Sequence, residues 1–258
     1  MPTVDLSFLP ATLWDQGELG ELFSELVNAG GDNLESLIVF GSAAAGTFDP
    51  ATSDINLLVT LRRDDRDVLE AIKPPLSRLM RQFKVSPMVA TSEELRTSAD
   101  VFPVKFLTIK DHHRVLFGAD PFAAMTIRKV HLRLRCEQEL KNMSLKMRRS
   151  LVSRAATAAA RQDLIRNFLP AFTTVLRTLL RIAGETPGED RLAVLNQAAK
   201  KFELPVEQIE QLAQVSWSEA GVEGGAEEIE ELCHAFLRVV SRAALVADRM
   251  AEAVDEAS

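Results

Sequence analysis

The chain has 258 residues, 47% of them hydrophobic and 26% charged, with a formal net charge of −7. That length and apolar share suffice for one large or two ordinary domains with a buried core, and twelve Gly and eleven Pro exclude a fibrous or low-complexity chain. The negative balance gives no overall attraction to nucleic acid or an anionic membrane, so any polyanion site must be local.

The first residues, MPTVDLSFLP, have neither a basic start nor a long apolar stretch, so a secretory signal is not expected. No run of 18 apolar residues predicts a membrane span. ELGELFSELVNAG, residues 18–30, has the pattern of an amphipathic helix ending in glycines. SLIVF (36–40) and INLLVTL (55–61) are continuous apolar runs of strand length. Residues 64–83 read as a helix that Pro74 and Pro75 must kink or split. VSPMVA (85–90) reads as a third strand, at an edge or a strand start because of Pro87. SEEL (92–95) opens another helix with a capping pattern, and RVLFG (114–118) closes the region before the turn ADPF.

Beyond Phe122 the texture becomes helical throughout. One long helix is predicted from Ile127 to about Arg154, with Leu132, Cys136, Leu140, Met143, Met147 and Leu151 on one stripe. Further helices are predicted over 163–183, 191–202, 206–217 and 227–253. The layout is therefore an α/β (α+β) domain with a short mixed sheet over residues 1–122, then an all-α helical bundle over 123–258. Cys136 and Cys233 lack metal-type spacing and read as buried thiols in a reducing compartment, and the expected location is cytoplasmic.

The chemistry concentrates between Phe40 and Val59, in FGSAAAGTFDPATSDINLLV. Gly41-Ser42 follows a strand and precedes helix-favouring alanines, so the backbone can approach phosphate oxygens there and the Ser42 hydroxyl can add a donor. A tight structural turn would use the same residues. Asp54 opens the next strand, and Asn56 lies two residues on, so both project from one face. An acid in that position beside a phosphate-binding turn suits a divalent cation that bridges a triphosphate for in-line attack on the α-phosphorus.

Apolar-Gly-Ser, a spacer, then Ser-Asp-Ile-Asn-Leu-Leu-Val resembles the nucleotidyltransferase superfamily of DNA polymerase β, in particular the small bacterial branch with aminoglycoside nucleotidyltransferases. The resemblance is specific over residues 36–61 and implies a metal-dependent domain followed by a helical bundle. It assigns Gly41 and Ser42 to the nucleotide, and Asp54 and Asn56 to Mg²⁺. The family has Asp where Asn56 stands, and many bacterial members have Arg where Ala45 stands. Aligned on the third strand, the family's third carboxylate falls at Ser86. Only Asp54 remains of three acids. Asn56 offers a neutral oxygen to a hard cation, and Ser86 at the degenerate catalytic position is no base at neutral pH without a partner.

Asp49 in the spacer, and Glu137 and Glu139 on the long helix, are candidate substitutes for the missing acids; the plainer reading makes them solvated or Arg-paired surface groups. His112-His113, His131 and His234 do not form a ligand set. Nine Arg and Lys against two Glu over residues 126–154 make a local basic face, yet the chain has no Tyr and no aromatic interleaving for single-stranded nucleic acid. Three functions follow. The first is a degenerate nucleotidyltransferase, a pseudoenzyme that binds a nucleoside triphosphate or a partner with little or no transfer. The second is an active enzyme that moves a nucleoside monophosphate onto a small-molecule or protein hydroxyl. The third is an antitoxin-like interaction protein, ranked last because antitoxins of this superfamily usually lack a bundle. No membrane partner is expected, and the charge argues against nucleic acid.

Overall fold

In a computed structural model the described residues are 16–49, 53–153, 157–205 and 226–255, with Leu6, Phe8, Glu207 and Leu212. The helix expected over 206–217 falls almost wholly outside them. The chain divides into two compact units, Met1–Ile127 and Arg128–Ser258. No helix among the described residues is long and apolar enough to cross a membrane.

The first unit contains helix α1 (Gln16–Gly30), strand β1 (Leu34–Phe40), the single turn α2 (Ser42–Ala45), β2 (Ile55–Leu61), α3 (Arg66–Phe83), β3 (Val85–Thr91), α4 (Ser92–Thr97), α5 (Pro103–Asp111) and β4 (His113–Gly118). The strands form one mixed sheet in the order β3-β2-β1-β4, with β2 and β3 parallel and the other pairs antiparallel. Alternation along the strands sorts the two faces. Leu37, Val39, Leu57 and Val59 face α1 and α3, where Leu22, Phe23, Leu26, Leu76 and Leu79 complete the larger core. Ile38 and Leu58 face the other way, against Leu95 of α4, Phe106 and Ile109 of α5, and Phe122. Both faces are covered, which is why the strands read as unbroken apolar runs.

Three local expectations change. Helix α3 runs through Pro74 and Pro75 as one element, which removes the split among the two outcomes expected there. Pro75 is buried on the core face, so packing offsets the two lost backbone hydrogen bonds. The cap of α4 is Thr91, one residue before SEEL: its hydroxyl accepts from Glu94 N at 3.1 Å, and Glu94 Oε2 accepts from Thr91 N at 2.8 Å. Helix α5 was not foreseen; Pro103 opens it, and Phe106 and Ile109 bury its inner side.

In the second unit α6 (Lys129–Ser153), α7 (Ala158–Ile182) and α9 (Ala226–Asp255) pack against one another, and α8 (Arg191–Phe202) packs on α7. The predicted α6 stripe is buried from Leu132 through Met147, with Leu151 half-buried. Phe172 and Phe236 meet edge to face at 5.4 Å between α7 and α9. Burial pushes the Cys136 thiol up to about 12 and the Cys233 thiol to about 11, so both stay protonated at neutral pH.

Candidate functional site

Gly41 ends β1 with φ 76° and ψ −146°, a backbone conformation that disfavours any side chain. Its N–H donates to His112 O at 3.2 Å, and its carbonyl accepts from Ala44 N and Ala45 N at 3.1 and 2.9 Å. The chain thus reverses through one helical turn, and Gly46 closes it at φ 76° in the left-handed region. Ala43 is buried and anchors the turn, while Gly41 and Ser42 are half-buried and Ala45 is exposed. A β-carbon on Gly41 would lie 3.1 Å from Asn56 Nδ2, so the Asn56 amide rests directly against the turn.

Sheet register assembles the rest. Asn56 pairs with Phe40 of β1 on one side and with Ser86 of β3 on the other. Helix α3 stops at Lys84 in the left-handed region (φ 50°), and the Lys84 carbonyl accepts from Ile55 N at 3.1 Å. That turn delivers Ser86 beside Asn56 at one end of the sheet. Gly41, Asn56 and Ser86 are therefore neighbours, with Asp54 immediately before β2; Asp54 and Ser86 are exposed and Asn56 is half-buried. The bracing carbonyls of Lys84 and His112 carry no sequence signal, because any residue supplies a carbonyl.

The candidate substitutes for the missing acids each have local partners. Asp49 is exposed, and its backbone is bonded to Ser53: Ser53 N donates to Asp49 O at 2.7 Å, and Asp49 N donates to Ser53 Oγ at 3.2 Å. Glu137 is not the surface group expected. It is 9% exposed and lies between Arg133, at 2.7 Å, and Lys141. The Lys141 and Arg133 hydrogen bonds outweigh burial and hold its carboxyl below the ordinary range. Glu139 pairs with Arg135 at 2.5 Å, as anticipated. His113 is structural: Nδ1 lies 3.0 Å from Ile109 O, Nε2 lies 3.2 Å from Asp120 Oδ2, and the ring packs on Phe122. Among the described residues no three His, Cys, Asp or Glu side chains gather where they could hold a metal ion.

The assembled end of the sheet thus offers a backbone turn, the two hydroxyls of Ser42 and Ser86, the Asp54 carboxylate and the Asn56 amide. By residue type, one carboxylate and one amide oxygen could supply two ligands to a hard cation, too few to hold a pair of cations without further ligands.

Among solved structures, the chain is similar to spectinomycin adenyltransferase AAD(9) from Enterococcus faecialis with ATP and spectinomycin, at 13% identity and a TM-score of 0.48, over 88% of this chain and 98% of that one. No curated protein matches the chain in sequence. The family model described as nucleotidyltransferase domain matches residues 21–113, from within α1 to the first residue of β4, a span that includes Gly41, Ser42, Asp54, Asn56 and Ser86. Over residues 21–113 the N-terminal unit is therefore similar to the nucleotidyltransferase domain family.

Proposed function

We propose that the N-terminal unit binds a nucleoside triphosphate at the Gly41-Ser42 turn and transfers its nucleotidyl group slowly or not at all. The observation that carries this reading is the register of Asn56 beside Ser86. Two uncharged side chains stand where the superfamily resemblance expects carboxylates, and Asp54 alone remains of the three acids the resemblance expects.

Each residue has a definable part. The Gly41 backbone, free of a side chain, admits phosphate oxygens, and Ser42 donates a hydrogen bond to them. Asp54 and the Asn56 carbonyl would hold Mg²⁺, which when bound offsets the charge of the triphosphate. Ser86 cannot take the proton of an attacking hydroxyl at neutral pH, and loss of a positioned base costs about 10²–10⁴-fold in rate. Binding survives such losses better than transfer does, because phosphate recognition by backbone and hydroxyl needs no proton acceptor. The acceptor, if transfer persists, is a small-molecule or protein hydroxyl.

Asp54→Ala tests the assignment. Nucleotide affinity in magnesium is expected to fall about tenfold or more, the effect of losing a charged ligand worth about 1.4 kcal/mol or more. Equal affinity in variant and wild type would remove Asp54 from the site.

A further inference from the structure

At the other end of the same sheet is a cleft of about 570 Å³ that the nucleotide reading does not use. It lies about 13 Å along the strands from Asn56, four residues at the usual strand rise. Its lining includes Ser36 of β1 and Thr60 of β2, which are directly paired and each 1% exposed. Neither hydroxyl has a hydrogen-bond partner. Buried hydroxyls are normally satisfied, and each can donate once and accept twice. Two orphaned hydroxyls, side by side within apolar strands, point to something that joins them.

The surroundings narrow what that is. β1 shifts register between Leu34 and Ser36, an irregularity of the kind that re-aims side chains. Gly118, opposite Ser36 on β4, has φ 77°, and a β-carbon there would lie 1.9 Å from Glu35 O, so this approach of β4 admits only glycine. Glu35 accepts from Ser92 Oγ and lies 3.4 Å from Arg62 Nε. One carboxylate and one guanidinium balance, so neither an anion nor a cation gains overall. Pro121 and Ala119 add a small apolar wall. A water occupies about 30 Å³ of liquid, so the cleft is far larger than the one or two waters needed to bridge the hydroxyls.

We propose that this cleft is a second binding site, for a small neutral polyol whose hydroxyls bridge Ser36 and Thr60 and reach the Glu35–Arg62 pair. A polyol hydroxyl accepts from one side chain while donating to the other, which neither a carboxylate nor an ammonium group does. The site is independent of the nucleotide reading, since it shares no residue with Gly41, Ser42, Asp54, Asn56 or Ser86.

The experiment is a ¹H–¹⁵N titration of the full chain with myo-inositol and with glucose, and with inorganic phosphate and putrescine as charged controls. Saturable shifts at the amides of Ser36, Thr60 and Gly118 with a neutral probe are expected. Ser36→Ala combined with Thr60→Val should weaken that binding about tenfold or more. Arg62→Gln, at an exposed rim position, should weaken it severalfold and keeps the test open if the double variant fails to fold. The proposal is overturned by no saturable shift with either polyol, by shifts that persist unchanged in the variants, or by equal saturation with phosphate or putrescine.

Discussion

Replacing Asn56 and Ser86 together by Asp should create a cation site where the native chain has one carboxylate. Asn56 and Ser86 are paired on adjacent parallel strands, and Asp54 stands two residues before Asn56. Backbone spacings of this kind are about 5–7 Å. At about 6 Å, two carboxylates in a water-like dielectric repel by about 0.7 kcal/mol, and a divalent cation attracts each by about 1.4 kcal/mol. The water-like value suits Asp54 and Ser86, which are exposed. Each added carboxylate should therefore tighten Mg²⁺ about tenfold, and the pair about a hundredfold. Direct coordination is closer than 6 Å, so these are lower bounds. Without cation the repulsion costs about 1–2 kcal/mol of stability. Calorimetric Mg²⁺ titration of wild type and variant, with urea unfolding in EDTA and in magnesium, reads both effects. A variant that folds like wild type and binds Mg²⁺ no better would refute the placement of these residues at one site.

Other substitutions probe the scaffold. Gly41→Ala places a side chain at φ 76° and against Asn56 Nδ2, so urea unfolding should show a loss of about 1–3 kcal/mol; an unchanged midpoint would mean the turn relaxes freely. Pro74→Ala restores a backbone donor inside α3 and should raise stability by about 1–3 kcal/mol, a gain that thermal denaturation would register; a loss would show that the ring itself is packed. Glu137→Ala leaves Arg133, whose side chain is 11% exposed, without its partner and should cost up to about 3 kcal/mol near pH 7. The Glu137 carboxyl is held below its usual 4.5, so its contribution is complete above that value and disappears as pH falls through the lower folded value. The gap between wild type and Glu137→Gln should accordingly narrow from pH 6 to pH 3, and a constant gap would rule out ionisation as its source.

Much of this fold is legible in periodicity alone. INLLVTL is β2 residue for residue, and SLIVF lies within β1, because strands covered on both faces must be apolar throughout. The α6 stripe was visible for the same reason at helical spacing. What periodicity could not supply was anything decided by tertiary contact. Pro74 and Pro75 break a helix in isolation, yet a buried Pro75 keeps α3 intact. Helix α5 escaped because its inner side is only Pro103, Phe106 and Ile109, too short a pattern to stand out. Glu137 read as an Arg-paired surface group because sequence shows Arg133 and Lys141 one turn away; the pairing holds, but sequence does not show the packing that buries all but 9% of it.

The candidate site divides the same way. Gly41-Ser42 and Asp54 announce themselves by residue type and spacing. The adjacency of Asn56 and Ser86 is a matter of register, which Lys84 sets by ending α3 where it does. The hydroxyl pair had a faint signal, since Ser36 and Thr60 are the hydroxyl residues inside two apolar runs. Their pairing was invisible until the strands were aligned.

The most direct test of the central claim is calorimetric titration of the unaltered chain with ATP, GTP, CTP and UTP, in magnesium and again in EDTA. Binding of at least one nucleotide, weakened when magnesium is withdrawn, is the predicted result. No heat from any of the four in either condition would contradict the account, leaving Gly41-Ser42 as a turn that shapes the sheet and holds nothing.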